Sequence, residues 1–371
     1  MSPSASGPDR QPKSADGMQY FEYSPDSRLL LAFFTRSGGV SRGQYESLNT
    51  SFAVGDDAQN VEENLARVRH ALGLPAIITL KQTHSDKVLA IADERTPSDT
   101  LEGDACITDR VGIGLGLNVA DCLPIFIYAA YSNCIGIVHC GWRGTAARLA
   151  EKTARQMSRR FHVPLSDLRF ALGPCICPNC YEVGDDVLEE FSKSFTLPDK
   201  FFSPVALDGK GTVPAGGLSP EPKYRLDIRA ANRWLLDEVG LLETNSIERC
   251  TFENDKLFYS ARRDKTTGRN LAVIALRQVR TDNRQDRECR TAASDFSHLA
   301  SGIQLRPNPT SESSLQASSE TSSEASLEIT LEAWFQVLVQ LSLHGLLKRW
   351  RHRFAHRSAQ ASRQRWLQAS S

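Results

Sequence analysis

Three residues in three separate apolar-flanked segments could share one piece of chemistry. They are His84 in Lys81-Gln-Thr-His-Ser-Asp-Lys87, Cys122 in Asn118-Val-Ala-Asp-Cys-Leu-Pro124, and His139 in Gly136-Ile-Val-His-Cys-Gly-Trp-Arg-Gly144. Two imidazoles and one thiolate supply three ligands to a transition metal and leave a fourth position open, as in a catalytic zinc site. The bland alternative makes Cys122 a buried small hydrophobe and His139 a hydrogen-bonded core histidine. Spacing leaves both readings open, because no two of the three residues share a short local motif.

Other segments carry polar groups suited to substrate. Gly141-Trp-Arg-Gly144 opens a helix whose free N–H groups would attract an anion, and Arg143 could add a two-pronged phosphate contact. Arg36 in Arg36-Ser-Gly-Gly-Val-Ser41 sits in a glycine loop that permits close backbone approach. Asp121 adjoins Cys122 and is the candidate for proton transfer. Arg143 is the second candidate catalytic residue. The basic stretch Ser260–Arg269 reads as a hairpin between two strands, with a substrate-facing clamp as the alternative. Cys175-Ile-Cys-Pro-Asn-Cys180 resembles a metal knuckle, yet no second Cys/His pair stands nearby in sequence, so it reads as a turn with structural cysteines. The zinc-deaminase signature, a GxGxxG after a first strand and paired His-x-His motifs are all missing from the chain.

These groups need a frame. Apolar runs predict strands at Leu29–Phe34, Ile77–Leu80, Val88–Ile91, Val111–Val119, Leu123–Tyr128, Cys134–Cys140, Phe170–Leu172, Leu257–Ser260 and Leu271–Leu276. Helical spacing marks residues 56–72, Thr145–Arg160, Asp185–Phe195 and Asp227–Val239. Strands and helices alternate without a regular βαβ rhythm. The expected fold is therefore an α/β (α+β) sandwich with a mixed β-sheet, as a single catalytic domain over residues 23–280.

The chain has 371 residues and no formal net charge, but its charge is uneven. Residues 333–371 hold seven basic side chains and no acidic ones, so the remainder is mildly acidic. Residues 1–22 lack an apolar core run and read as a disordered leader, without a signal peptide. Nine cysteines without regular spacing suit a reducing cytoplasm, with organelle targeting left open. Residues 281–326 read as a serine-rich linker, and residues 327–371 as an amphipathic helix with a basic tail. The polar stripe Glu328, Glu332, Gln336, Gln340 and His344 suits a membrane surface or a protein partner rather than a lipid-spanning helix. Nucleic acid is disfavoured as a partner.

In order along the chain, the motifs resemble the laccase-domain, or YfiH-like, family. The matching segments are Thr35-Arg-Ser-Gly-Gly-Val-Ser41, Ser47-Leu-Asn49, Val54-Gly-Asp-Asp57, Gln82-Thr-His84, Gly103-Asp104, Ala120-Asp-Cys-Leu-Pro124, and His139-Cys-Gly-Trp-Arg-Gly144. Leu172-Gly-Pro174, Cys180-Tyr-Glu-Val-Gly184, Asp227 and Ser260–Arg269 continue the pattern, so that it covers roughly residues 28–277. Cys177 departs from it, standing where the family usually has glycine. The resemblance implies a purine nucleoside phosphorylase acting on adenosine, inosine and methylthioadenosine, with adenosine deaminase activity. It also implies zinc on His84, Cys122 and His139, although such ligands accept copper as well. Motif position offers Arg36, Asn49, Arg143, Arg263 and Arg269 as contacts to nucleoside or phosphate. The rival enzyme is a metal-free cysteine hydrolase or amidase using Cys122 and His139, such as a peptidoglycan-precursor editing factor. A non-enzymatic module stapled by metal is a third reading.

Overall fold

The computed structural model describes residues 11–277, apart from 26, 94–99, 131–133, 206–221 and 245. Two six-stranded mixed sheets pack face to face. The first contains β1 (Lys13–Ala15), β2 (Met18–Tyr23), β3 (Leu29–Phe34), β4 (Ala76–Thr79), β7 (Ile113–Val119) and β15 (Asn270–Leu276), in the order β1-β2-β3-β15-β7-β4. The second contains β5 (Val88–Ala90), β6 (Ala105–Thr108), β8 (Leu123–Ala129), β9 (Ile135–Cys140), β10 (Leu168–Leu172) and β14 (Leu242–Glu243), in the order β14-β10-β8-β9-β6-β5. A small third sheet joins β11 (Glu182–Gly184), β12 (Phe202–Pro204) and β13 (Lys223–Leu226).

Strand periodicity explains the layering. In β3, Leu29, Leu31 and Phe33 point into the core between the sheets, while Leu30, Ala32 and Phe34 face α1 (Ala58–Leu72). In β8, Phe126 and Tyr128 enter the inter-sheet core. Leu123, Ile125 and Ile127 pack toward α3 (Leu149–Phe161), α4 (Asp185–Ser192) and α5 (Ile228–Glu238). Each such fully buried Leu or Ile stabilises the fold by about 1.5–3 kcal/mol. Both faces of each sheet are thus covered, which is why the central strands read as unbroken apolar runs.

Several elements differ from the sequence-based expectation. Residues 13–23, assigned by composition to a leader, form a hairpin: Asp16 and Gly17 both take positive φ, and Met18 and Phe21 are buried. The helix expected over Thr145–Arg160 is two helices, α2 (Trp142–Ala146) and α3, because Arg148 adopts a left-handed conformation between them. Its guanidinium is bonded to Glu151, Glu238 and the Ser194 carbonyl. Leu257–Ser260 is not a strand, and Ser260–Arg269 is not a hairpin but the short helix α6 (Ala261–Asp264) followed by a loop. Ala105–Thr108 is a strand that its short apolar run did not announce. The linker and amphipathic tail expected at 281–326 and 327–371 lie outside the described residues.

Candidate metal centre and its cavity

The chain changes sheet twice at the site. His84 lies between β4 of the first sheet and β5 of the second, and Cys122 between β7 of the first and β8 of the second. His139 sits near the end of β9, on the same face as Ile135 and Ile137. Antiparallel pairing of β8 with β9 sets Pro124 opposite His139 and so brings Cys122 alongside. One ligand atom from each of His84, Cys122 and His139 lies within 4.8 Å of the others. The two imidazoles cross at 66°, with centroids 5.0 Å apart. Tetrahedral zinc would hold such atoms roughly 3.3–3.8 Å apart, so small side-chain adjustments complete the set. Gly141 closes the floor beneath it: a Cβ there would stand 3.1 Å from the Cys122 sulfur and 3.2 Å from the His84 ring.

Asp104 organises both histidines. Its carboxylate is 1% exposed and accepts from the N–H groups of Thr83, His84 and Ser85, from the Ser85 hydroxyl at 2.7 Å, and from His139 Nδ1 at 2.9 Å. The backbone bonds hold His84 at φ +58°, a left-handed conformation that a histidine rarely adopts. Burial would raise the Asp104 pKa, but the bonds from His139 and Ser85 and the His139 charge outweigh it, holding the carboxyl well below its usual range. An ionised Asp104 accepts a hydrogen bond from Nδ1–H and so leaves Nε2 of His139 for the thiol or a metal. In sequence Asp104 belongs to the Gly103-Asp104 motif with no role of its own; its signal is an acid immediately before a buried strand.

Electrostatics tie the trio together. Burial alone would raise Cys122, but the His139 charge and hydrogen bonds from His139 and His84 prevail and lower the thiol to about 6. Burial would lower His139, but the Cys122 charge and the Asp104 bond raise it to about 9. Without a metal, the pair is therefore a thiolate and an imidazolium between those values. A cation would replace the imidazolium proton as the partner of the thiolate.

The trio opens onto a cavity of about 530 Å³, within the range of small-molecule sites. Phe52, Gln82, Asn118 and Arg269 are among its lining residues. Gln82 is bonded through its side-chain amide to both the N–H and carbonyl of Asn118, which fixes the His84 loop to β7. Burial lowers the Arg269 pKa. Arg269 also bonds the carbonyls of Thr267 and Gly268.

The other expected residues are placed elsewhere. Asp121, 8% exposed and at φ +90°, accepts from Thr251 Oγ1 at 2.7 Å, Ser260 Oγ at 3.0 Å and the Arg262 N–H at 2.7 Å. It faces these partners rather than the cavity wall. Arg143 is exposed and stacks on Trp142 at 4.2 Å. The five-residue helix α2 is too short to serve as an anion site. Arg36 is bonded to the carbonyls of Glu46 and Asp255. Asn49 is fully buried and ties Ser51, Asp56 and the Arg269 N–H together. Arg263 donates to the carbonyls of Thr251, Phe252 and Phe258. Among the five contacts expected from motif position, Arg269 is the one placed on the cavity wall.

A two-sheet sandwich with a His₂Cys trio at the sheet crossover defines the class. The chain belongs to the family described as multi-copper polyphenol oxidoreductase laccase, whose model matches residues 30–277. It is 34% identical to "Purine nucleoside phosphorylase YlmD" of Geobacillus stearothermophilus, over 68% of this chain and 92% of that one. It is 36% identical to "Adenosine deaminase RL5" from an unknown prokaryotic organism, over 66% of this chain and 93% of that one. The crystal structure of YlmD from G. stearothermophilus superposes with a TM-score of 0.62 at 31% identity, covering 73% of this chain and all of that one. Among the described residues, no helix is long and apolar enough to cross a membrane.

Proposed function

We propose that this chain is a purine nucleoside phosphorylase with adenosine deaminase activity, working with zinc at His84, Cys122 and His139. The observation that carries the reading is the open side of the trio, which faces a nucleoside-sized cavity bearing a half-buried arginine and an aromatic ring. The relatives' names set the substrate class. When bound there, a zinc ion supplies Lewis acidity and activates water near neutral pH. Phe52 offers a stacking face for the base. Arg269 neutralises phosphate beside the ribose. In phosphorolysis the C1′–N9 bond breaks, a phosphate oxygen bonds C1′, and the purine leaves with a proton. In deamination water adds at C6 and ammonia departs. Asp104 orients His139, and Asp121 positions Cys122 through the bonds that hold its own backbone. Substrates are adenosine, inosine and methylthioadenosine with phosphate, and copper is the alternative ion for the same donors.

The experiment is incubation of zinc-loaded protein with adenosine, with and without phosphate, followed by chromatography. Adenine and ribose 1-phosphate, or inosine and ammonia, are expected. Fully metallated protein that forms neither pair refutes the reading.

One observation favours a second reading. Asp104, His139 and Cys122 form an acid–imidazole–thiol series with a thiol lowered to about 6, the requirement of a cysteine hydrolase or amidase. Metal content separates the two. Zinc bound in proportion to protein and lost in Cys122→Ala supports the metal enzyme. Metal-free active protein inactivated by alkylation at Cys122 supports the thiol enzyme.

A further inference from the structure

We propose that Cys177, Cys180, Cys250 and Glu253 form a second zinc site, one that is structural and separate from the His84–Cys122–His139 trio. In sequence the Cys175–Cys180 segment has no second pair of ligands nearby. The fold brings two, Cys250 and Glu253, from some seventy residues away to Cys177 and Cys180. Residues Cys175 and Cys250 pair as a parallel bridge, with the Cys175 N–H bonded to the Arg249 carbonyl and the Thr251 N–H to the Cys175 carbonyl. That pairing sets the Cys177 N–H 3.4 Å from the Cys250 sulfur. Glu253 Oε1 lies 3.7 Å from the Cys177 sulfur and 3.5 Å from the Cys180 sulfur. All four ligand atoms fall within 4.8 Å of one another. Tetrahedral zinc with sulfur at 2.3 Å and oxygen near 2.0 Å separates oxygen from sulfur by roughly 3.5 Å, close to the two Glu253–sulfur distances, and separates its sulfurs by roughly 3.8 Å, which small side-chain adjustments within the cluster can reach.

The donor set points to the metal. Three thiolates and one carboxylate are a closed four-ligand shell, and sulfur-rich shells select zinc over magnesium or calcium. Without a cation the cluster is electrostatically poor. Burial and the neighbouring sulfurs push the Cys180 thiol well above its ordinary value, and burial and Cys250 push Cys177 upward too. Zinc binding would displace three thiol protons and relieve that crowding.

The place of the cluster gives it a purpose. Its two arms meet Asp121 from two sides: the Ile176 N–H donates to the Asp121 carbonyl at 3.0 Å, and Thr251 Oγ1 donates to its carboxylate at 2.7 Å. Asp121 precedes Cys122. A zinc ion pinning residues 177–180 to 250–253 would hold the backbone that presents the first site's thiolate. It acts as a positioning device, without contact to substrate.

The test is metal counting on the full chain, reduced, loaded with zinc and desalted. Wild type is expected to retain about two equivalents, and Cys122→Ala about one. Cys177→Ala with Cys180→Ala should also retain about one, and the triple variant none. Cobalt titrated into Cys122→Ala should give the intense visible absorption of a tetrahedral thiolate complex, and Glu253→Gln in that background, an exposed change, should weaken cobalt binding. Reduced, natively folded Cys122→Ala protein that binds no cobalt overturns the proposal. So does cobalt whose binding is unchanged by loss of Cys177 and Cys180.

Discussion

Asp104→Asn is the sharpest perturbation of the candidate centre. Asparagine keeps the size of the side chain and replaces one oxygen with an N–H₂ donor. In the wild type, Oδ2 faces the Ser85 N–H at 2.6 Å and the Ser85 hydroxyl, and Oδ1 faces the His84 N–H and His139 Nδ1. Either orientation of the amide therefore sets a donor against donors. With the amide nitrogen toward Ser85, the loop carrying His84 must move. With it toward His139, Nδ1 must become an acceptor, and the proton shifts to Nε2, the atom needed for the metal. Partners of this kind are typically worth 10–100-fold in metal affinity, or about 1.4–2.8 kcal/mol. We expect zinc affinity, measured by competition with a chromophoric chelator, to fall by roughly that factor. The far-ultraviolet circular dichroism should remain native. A folded variant that binds zinc within about threefold of wild type would refute the assignment of Asp104 as the orienting group.

Other outcomes can be checked in the same way. In metal-free protein, the rate of Cys122 alkylation should rise with pH through about 6, because the His139 charge and the hydrogen bonds outweigh burial and favour the thiolate; a midpoint near the ordinary thiol value would contradict the ion pair. The corresponding stability contributions have opposite signs: that of Cys122 is lost as pH falls through about 6, and that of His139 as pH rises through about 9. Gly141→Ala should weaken zinc binding by about tenfold while leaving the backbone at ease, since the new methyl would press on Cys122 and His84; calorimetry showing unchanged affinity would mean that the trio yields freely. Truncation after residue 290 should leave nucleoside turnover within about twofold, because the family match and every residue placed at the site lie before residue 278; inactive but folded and metal-loaded truncated protein would show that the tail takes part.

The legible parts of the fold are those governed by local pattern. Strands β3, β8 and β15 could be read because both of their faces are buried and their apolar runs are continuous. The hairpin at residues 13–23 carried its own signal in Asp16-Gly17, which the polar residues before it obscured. The break at Arg148 had no local signature, because its left-handed turn is sustained by Ser194 and Glu238, far along the chain. The site divides in the same way. His84, Cys122 and His139 could be named from motifs, but Asp104 gains its role only when the His84 loop closes over it. Arg263 and Arg269 lie in one basic segment and look equivalent in sequence. The fold turns the first into an anchor for carbonyls and the second toward the cavity.

Two of the three ligands sit where the chain passes from one sheet to the other, and this affects the order of folding. Pairing of β8 with β9 brings Cys122 to His139 within the second sheet, but His84 arrives on the connection from β4 of the first sheet, so the set of three is complete only when that connection has closed. A metal ion that needs all three ligands would therefore bind a structure that has largely formed. Its binding energy then belongs to the native side of the folding barrier, where interactions slow unfolding and leave the folding rate nearly unchanged. Zinc at this crossover would prolong the life of the docked sandwich, acting as a latch on a closed door.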